Sequence, residues 1–335
     1  MATIKDVARL SGVSVASVSR VLNNGPKVSQ KTIDKVTKVM ATLNYTPNAN
    51  ARALVTQKSS TLGVVIPDLV DPFFASLAHG VEQVAREQNK QLLLSTGQVS
   101  AETEMQAINL LIERQCEVMV VHSKKLSDDV LIELACKVKG FVLIDRYIEA
   151  IAERCVWLDN AEGGKIAARH LIALNHKNFA CISSKVNIDD PHLRLQGFEK
   201  ELETHNTSIN KNLIEFGEPT LQGGETAAQN LLATGIKFSA LFVYNDAMAI
   251  GAISTLEDNG FKVPNDISVI GFDDVLLSRY SRPKLSTLNY PIEKMAMQAA
   301  QIGLNLSEQN AEKTQSLGQV KHIPRLVKRE STSFH

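Results

Sequence analysis

Polar side chains that could recognise a ligand come directly after stretches with the pattern of buried strands. Asp71 follows the first such stretch, His122 the third and Asp145 the fourth, and Asn245 and Asp273 follow two strands in the second half of the chain. Carboxylate, amide and imidazole groups can accept or donate hydrogen bonds in several directions. The set therefore suits a ligand that carries neighbouring hydroxyl groups.

Two further residues complete this candidate set, and several of its members also have a structural interpretation. Arg194 opens the stretch Arg-Leu-Gln-Gly-Phe and would add a planar group with five donors, while Phe73 would add an apolar face. Asp and Asn favour turns and helix caps, so Asp71 could instead cap a helix that begins near Phe73. Phe73 could equally belong to the core, and His122 could be a structural histidine.

No arrangement of residues in the sequence indicates catalysis. The chain lacks a Gly-x-Gly-x-x-Gly fingerprint, a phosphate-binding loop with Gly-Lys-Ser/Thr, and a His-Glu-x-x-His zinc motif. The four cysteines are scattered without paired spacing, which disfavours a disulfide framework or a metal site. We interpret Asp246 and Asp274 as residues of a helix cap and of structural hydrogen bonds. The sequence thus predicts no catalytic residue, no metal and no cofactor.

The elements that must position the polar residues alternate regularly from Thr61 onward. Residues 62–66 form a continuous apolar run, as expected for a buried parallel strand. We predict strands at 62–66, 91–95, 118–121 and 141–144 and, after Asp159, at 178–182, 213–216, 240–243 and 267–271, with helices between them. Such alternation predicts two doubly wound parallel sheets with a ligand crevice at the carboxyl ends of their strands.

The first 23 residues show a different pattern, that of two short helices joined by a tight turn. Ile4, Val7 and Ala8 keep helical spacing behind Thr3, a natural N-cap, and Gly12 interrupts the run. Ser14 can then cap a second helix. This arrangement predicts a helix-turn-helix, although a helical hairpin that merely packs on a larger domain has the same pattern.

The second of these helices would place Val18, Val21 and Leu22 inward. Its outward side chains, by contrast, fit the DNA major groove, where small residues allow close approach and an arginine can bond to guanine or phosphate. We predict DNA contacts from this region at Thr3, Ser14, Val15, Ala16, Ser19, Arg20 and Asn23.

Charge favours the DNA-binding interpretation. Residues 1–60 contain nine Lys and Arg residues and two acidic residues, Asp6 and Asp34, which gives +7 within a chain of net charge zero. The remainder is correspondingly acidic. A basic segment of this size is typical of a nucleic-acid-binding domain. A third helix, capped by Ser29 and carrying Ile33, Val36, Met40 and Leu43 on one face, would complete a small core.

The opening stretch MATIKDVARLSGVSVASVSRVLNN resembles the lac and galactose repressor family of bacterial transcription regulators. Residues 45–54 (YTPNANARAL), 243–251 (VYNDAMAIG) and 267–274 (ISVIGFDD) match the same family, so the resemblance covers essentially the whole chain. The segments PNANARALV, FGEP and IGFDDVLLSRYSRP resemble the galactose operon repressors within it. The resemblance implies a homodimer that binds double-stranded operator DNA.

The resemblance also assigns roles to residues 47–58. It implies a hinge helix that pairs with its dimer mate in the minor groove, where Leu54 wedges into the central base step. Asn48 and Ala51 are further predicted DNA contacts, since Ala51 is small enough for close approach. A helix this short is marginal alone in water, so a flexible linker is the alternative.

For the larger part of the chain, the resemblance implies a periplasmic-binding-protein-like fold and a small sugar effector, with D-galactose preferred. It places Arg194, Asn245 and Asp273 on effector-contact positions, with Asp71, Phe73, His122 and Asp145 as further candidates. It also implies that the chain crosses between the subdomains three times and that its last strands return to the first one. Another sugar or a purine stays open as the effector.

We predict three regions from these patterns. They are a helix-turn-helix domain at 1–46, a hinge and linker at 47–58, and an effector-binding and dimerisation domain at 59–335. Within the last region, one subdomain spans about 60–160 with 292–325 and the other about 161–291. No apolar run spans a membrane and no secretion signal opens the chain, so we expect a cytoplasmic protein. A sugar-transport receptor and a sugar-modifying enzyme are the alternatives of other classes.

Overall fold

The computed structural model divides the chain into two compact units, residues 1–60 and 61–335. It describes residues 2–22, 25, 28–45, 61–308 and 320–335. The predicted DNA contacts Asn23, Asn48, Ala51 and Leu54 lie outside these residues. The domain boundaries predicted from the sequence therefore stay predictions.

Three helices form the described part of the first unit: α1 (Ile4–Ser11), α2 (Val15–Leu22) and α3 (Gln30–Thr42). Thr3 and Asp6 form a capping box, in which the Thr3 side chain accepts a hydrogen bond from the Asp6 backbone amide and the Asp6 carboxylate accepts one from the Thr3 amide. Gly12 ends α1 with a φ of 63°, a left-handed conformation that glycine adopts without strain.

The core of this unit contains buried apolar residues from all three helices, including Ala8 of α1. Val7, Val18 and Val36 are fully buried, and Val21, Leu22, Met40 and Leu43 pack around them, as the spacing predicted. The predicted inward position of Ile33 is wrong in detail, because Ile33 is only half-buried and lies outside the cluster. Val39, which was not predicted, packs there instead.

The described residues of the larger unit form two six-stranded sheets, each the centre of one lobe. The first lobe contains β1 (Thr61–Ile66), β2 (Gln91–Thr96), β3 (Val118–His122), β4 (Gly140–Ile144), β5 (Cys155–Leu158) and β11 (Val320–His322). The second lobe contains β6 (Phe179–Ser184), β7 (Ile214–Gly217), β8 (Ala240–Val243), β9 (Ser268–Asp273), β10 (Ser286–Asn289) and β12 (Arg325–Val327). The strand orders are β11-β5-β4-β3-β1-β2 and β12-β10-β9-β8-β6-β7.

Strand pairing is parallel throughout, except that β12 runs antiparallel to β10. Helices α4 (Pro72–Glu87), α5 (Ala101–Glu113), α6 (Asp128–Lys137) and α11 (Ile292–Ser307) belong to the first lobe, and α7 (Asn160–Ala173), α8 (Asp189–Thr204), α9 (Leu221–Ala233) and α10 (Asp246–Asp258) to the second. The predicted fold class, a helical DNA-binding unit followed by two doubly wound parallel sheets, is confirmed.

Within residues 61–308 and 320–335, the chain passes between the lobes three times, after β5, after β10 and between β11 and β12. The prediction that the last strands return to the first lobe holds only for β11, because β10 and β12 stay in the second sheet. These late strands and β5 have only three or four residues each, which is too short for a recognisable alternation of apolar residues.

Candidate functional site

A cavity of about 490 Å³ opens between the two lobes at the carboxyl ends of their strands. This volume suits a small organic ligand. The structure brings all seven predicted effector residues to its wall, namely Asp71, Phe73, His122, Asp145, Arg194, Asn245 and Asp273. The first four belong to the first lobe and the last three to the second. We call this cavity the crevice.

Arg194 projects from α8 into the crevice and is fixed by neighbours on all sides. Its Nε donates to the side-chain oxygen of Asn160 at 2.8 Å, and one terminal nitrogen donates to the Tyr244 carbonyl at 2.7 Å. The guanidinium lies 3.6 Å from the centre of the Phe272 ring. Burial disfavours its charge, but the nearby Asp273 carboxylate and the other acidic groups around it together outweigh this cost, so the pKa of Arg194 is raised. The arginine is therefore a fixed, charged donor.

Asp273 ends β9 with a φ of 107°, an unusual angle that turns its side chain into the crevice. Its carboxylate lies 3.4 Å from Arg194. Burial, together with the neighbouring carboxylates, raises the pKa of Asp273 well above its usual range in spite of the arginine. The raised pKa favours the protonated carboxyl group, which can both donate a hydrogen bond to a ligand and accept one from it.

Asp145 occupies the matching place in the first lobe, where it follows β4 with a φ of 60°. Its carboxylate is 3.1 Å from Nε2 of His122 and 2.8 Å from Nζ of Lys124, and it accepts a hydrogen bond from the hydroxyl of Tyr290. Burial would raise the pKa of Asp145, but the Lys124 ammonium and His122 together lower it below its usual range. Asp145 is therefore a buried carboxylate that keeps its charge.

Two of the predicted residues use their polar groups for helix caps. Asp71 caps α4 by accepting from the backbone amide of Phe73 at 2.9 Å, which agrees with its structural interpretation. Asn245 caps α10 by accepting from Met248 at 2.9 Å, and its amide donates to the Pro219 carbonyl at 3.2 Å. Both side chains line the crevice, and each already uses part of its hydrogen-bonding capacity in these contacts.

Phe73 has both of its expected roles. It is 8% exposed and packs edge-on against Tyr290, with ring centres 4.8 Å apart, and it also lines the crevice. An aromatic face beside polar groups is a common way to hold one side of a ring-shaped polar ligand.

The structural interpretation of Asp246 and Asp274 agrees with the geometry, with one correction. Asp246 accepts hydrogen bonds from the Thr287 hydroxyl and from the Val275 amide, and Asp274 pairs with Arg329 and Asn289. The cap of α10, however, is Asn245 and not Asp246. The side-chain oxygen of Asn245 accepts from the amide of Met248, the third residue of the helix. The Asp246 carboxylate instead contacts Thr287 of β10.

The DNA-facing side chains predicted on α2 point to the surface. Val15, Ala16 and Arg20 are exposed, while Ser19 is half-buried and has a partner of its own. Ser14 caps this helix by accepting from the Ser17 amide at 3.1 Å. The hydroxyl of Thr3 is likewise engaged, since it donates to Asp6 at 2.8 Å. The exposed side chains of α2 are thus small and apolar at the start of the helix, at Val15 and Ala16, and basic further on, at Arg20.

Comparison with known proteins decides the family. Residues 3–48 match the family described as bacterial regulatory proteins, lacI family, and residues 168–332 match the periplasmic binding protein-like domain. The transcriptional regulator GalR of Salmonella typhimurium is 46% identical over 335 residues, which cover 99% of this chain and 96% of that protein. The chain belongs to the lacI family of bacterial regulatory proteins.

Other relatives of this lacI-family chain support the same assignment. GalR of Escherichia coli is 45% identical over 99% of the chain and 96% of its own length, and GalS of Salmonella typhimurium is 42% identical over 100% and 97%. All three are named as helix-turn-helix transcriptional regulators, so the chain is a regulator and not an enzyme.

Solved structures of other transcription regulators share the fold. The lac repressor dimer bound to operator and an anti-inducer superposes with a TM-score of 0.86 at 26% identity, covering 99% of both chains. The complex of the regulator CelR with cellobiose gives a TM-score of 0.69 at 26% identity, covering 99% of this chain and 100% of that one.

Several residues at the crevice of this lacI-family chain were not predicted from its sequence, namely Lys124, Asp190, Tyr244 and Tyr290. Lys124 and Tyr244 follow strands β3 and β8 by one or two residues, so the rule that selected His122 and Asn245 could have found them. Asp190 sits at the start of α8, four residues before Arg194. Tyr290 follows β10, a strand too short to be predicted.

The described residues contain no group of three or more His, Cys, Asp or Glu side chains that could hold a metal ion. In the same part of the chain, no helix has the length and apolar character needed to cross a membrane.

Proposed function

We propose that this protein is a sequence-specific transcriptional repressor, and that a small sugar bound in the crevice lowers its affinity for operator DNA. It acts as a homodimer in the cytoplasm, and D-galactose is the effector. The observation that carries the proposal is the chemistry of the crevice, where one buried guanidinium, carboxylates and aromatic rings surround a cavity of about 490 Å³.

The charge of the crevice favours an uncharged ligand. Its wall carries five carboxylates, from Asp68, Asp71, Asp145, Asp190 and Asp273, and two fixed cations, from Lys124 and Arg194. Both cations already lie within 3.4 Å of a carboxylate. A phosphate or uronate group would meet only cations that are already paired with carboxylates, whereas the hydroxyls of a neutral sugar can donate to the carboxylates and accept from Arg194.

The choice of D-galactose depends on the sequence resemblance to galactose operon repressors, and it agrees with the high identity to GalR and GalS. CelR, which was solved with cellobiose, shows that a protein of this fold can hold a sugar. Relatives named PurR are 31–33% identical, so a purine belongs in any panel of candidate effectors.

We assign DNA recognition to the basic first unit, residues 1–60. The exposed start of α2, with Val15 and Ala16, suits close approach to base edges and thymine methyl groups, and Arg20 can bond to guanine or phosphate. Two such helices in a dimer would read the two halves of a near-palindromic site. Ser14, Ser19 and Asn23 are further contacts in this proposal, and Thr3 contributes mainly through its cap.

The sugar acts by shifting an equilibrium. Occupation of the crevice changes the arrangement of the two lobes, the paired hinge segments with Asn48, Ala51 and Leu54 separate, and DNA affinity falls. A ligand can drive this change only as far as it prefers one state. A shift from 1:99 to 99:1 requires roughly 5.5 kcal/mol of differential affinity.

A gel-shift assay of the full chain on candidate operators, with and without each member of a panel of hexoses and purines, tests the proposal. We expect D-galactose to release the operator and Arg20→Ala to abolish sequence preference, while Arg114→Ala, an exposed arginine of the larger unit, changes neither. A turnover assay on the same sugar separates a regulator from an enzyme. The proposal fails if no hexose changes operator binding.

A further inference from the structure

A short loop after β3, residues 123–126, reaches from the first lobe across the crevice to the second. Nζ of Lys124 lies 2.8 Å from Asp145 of its own lobe and 2.9 Å from Asp190 at the start of α8 in the other lobe. The next side chain, Lys125, donates to the Asn187 carbonyl of that lobe at 2.6 Å. Two consecutive lysines thus join the lobes directly.

The first of these contacts is buried. The side chains of Lys124, Asp145 and Asp190 are 7%, 4% and 10% exposed, respectively. A buried ammonium is stabilised only while its carboxylate partners are in place, and two carboxylates that share one ammonium would repel each other without it. The energy of this contact therefore depends on whether the lobes are together.

The loop itself is held in place before it meets the second lobe. The buried carboxylate of Glu104 accepts from the backbone amides of Lys124, Lys125 and Leu126 at 3.1, 3.2 and 3.1 Å, and it also accepts from the Ser123 hydroxyl. From the other side, Arg146 donates to the Leu126 carbonyl at 2.9 Å. Lys124 consequently extends from a fixed backbone, so only its side chain, and not the loop, loses conformational entropy when it reaches Asp190.

A chain of hydrogen bonds connects this contact to the predicted effector residues. Asp190 accepts from the amide of Asn160 at 3.4 Å, and Asn160 in turn accepts from Arg194 at 2.8 Å. Arg194 then contacts Asp273. Lys124, Asp145 and Asp190 also line a second cavity of about 580 Å³, so they form the partition between it and the crevice.

We propose that Lys124 is a positioning residue that clasps the two lobes together across the crevice and thereby sets how much sugar is needed to release the operator. The proposal rests on the proposed function for the identity of the sugar, but the clasp itself is a property of the two lobes. With the clasp in place, a sugar enters lobes that are already held in the arrangement it requires.

Removal of the ammonium should open the crevice. In Lys124→Met, the Asp145 and Asp190 carboxylates would face each other without the ammonium between them, and the sugar would have to supply the energy of closure. We expect the dissociation constant for D-galactose, and the galactose concentration that half-releases the operator, to rise roughly 30-fold or more, as for the loss of one partner from a buried charge pair. Lys137→Met, which removes an exposed lysine from the same lobe, serves as the matched control.

Two further variants separate the clasp from general damage. Lys124→Arg keeps the charge and should retain most of the sugar affinity. Lys124→Met with Asp190→Asn removes the repulsion together with the ammonium and should restore part of the lost affinity. A coupling between the two positions in this double-mutant cycle is expected because they touch.

Trp157, the only tryptophan of the chain, lines the second cavity beside the clasp and reports on closure without any sugar. We expect its emission in ligand-free Lys124→Met to shift to longer wavelength than in the wild type, and the shift to be absent in Lys124→Arg and Lys137→Met. Binding of D-galactose to the full-length proteins is measured in parallel by calorimetry.

The two proposals fail in different ways. If the wild type binds galactose, and Lys124→Met gives the same emission and the same galactose midpoint, the clasp is overturned and the proposed function stands. If no hexose binds the wild type, but the emission shift appears in Lys124→Met, the proposed function is overturned and the clasp stands.

Discussion

Arg194 and Asp273 lie 3.4 Å apart in the wall of the crevice, the first on a helix and the second at the end of a strand of the same lobe. Arg194 is buried and the Asp273 side chain is 12% exposed, and each retains hydrogen-bonding capacity that its protein neighbours do not use in full. Such a pair holds its geometry before a ligand arrives, so that little reorganisation accompanies binding. Its place opposite Asp145 of the other lobe makes it the centre of the proposed sugar site.

Arg194→Lys should weaken binding of D-galactose by roughly 10- to 100-fold, because hydrogen bonds to charged groups contribute about 1.5–3 kcal/mol and an ammonium cannot reproduce the fork of a guanidinium. Operator affinity without sugar should stay unchanged. Calorimetry and gel shift measure the two effects. Arg169→Lys, at an exposed arginine paired with Glu162 and Glu201, is the control and should bind sugar normally. Wild-type sugar affinity in Arg194→Lys would contradict the assignment.

Leu54→Ala should reduce affinity for the operator by an order of magnitude or more, because the side chain proposed to enter the central base step would lose most of its wedge. Binding to a duplex without an operator should change little, since it depends on phosphate contacts. Fluorescence anisotropy on both duplexes measures the difference. An unchanged operator affinity would remove the hinge from the mechanism.

Thr3→Ala should destabilise the first unit by about 1 kcal/mol, because the capping box that begins α1 is lost. Operator affinity should fall only as far as this loss of stability explains. Thr3→Ser keeps the cap and serves as the control, with wild-type stability expected. Thermal unfolding followed by circular dichroism provides the measurement. A large loss of operator affinity in Thr3→Ser would instead indicate that the Thr3 methyl group contacts DNA.

His170 should remain neutral in the folded protein at pH 5.5. Burial, with Lys328 and His176 nearby, lowers its pKa to about 4, whereas the unfolded value is near 6.5. Because the folded pKa is depressed, the stability that depends on neutral His170 is fully present above pH 6.5. This stability is lost as the pH falls from 6.5 toward 4, where the unfolded chain binds a proton and the folded protein does not. The loss is on the order of 2–3 kcal/mol. Nuclear magnetic resonance titration of the imidazole measures this directly.

His170→Gln provides the matching stability test, since it keeps a partner for the Thr332 hydroxyl that lies 3.0 Å from the ring. Urea unfolding of this variant should change less between pH 6.5 and pH 4.5 than that of the wild type. An ordinary titration near pH 6.5, with equal pH dependence in both proteins, would contradict the burial argument.

The sequence predicted the elements whose apolar spacing is regular, and it failed where tertiary contacts decide. Val7, Val18 and Val36 were found because a helical face must be buried, and β1 because a buried parallel strand is apolar throughout. Strand β5, by contrast, has four residues, and only its pairing with β4 and β11 makes it a strand.

The same distinction applies to the crevice. Asp145 and Asp273 could be located because parallel strands end at one edge of a sheet, so polar residues that follow them must gather there. The contact of Lys124 with Asp190 could not be predicted from the sequence, because it joins residues from different lobes and depends on how the two sheets face each other. For Asn245, the sequence identified the position, but only the structure shows that a helix cap occupies its amide oxygen.

Titration of the full-length protein onto a labelled operator duplex, at low and at high salt and with and without D-galactose, tests the account most directly. We predict tight binding that weakens steeply as salt rises, because the first unit carries +7, and a further loss of at least tenfold when galactose is added. Attachment that is insensitive to salt on every duplex, or operator binding that no hexose alters, would contradict it.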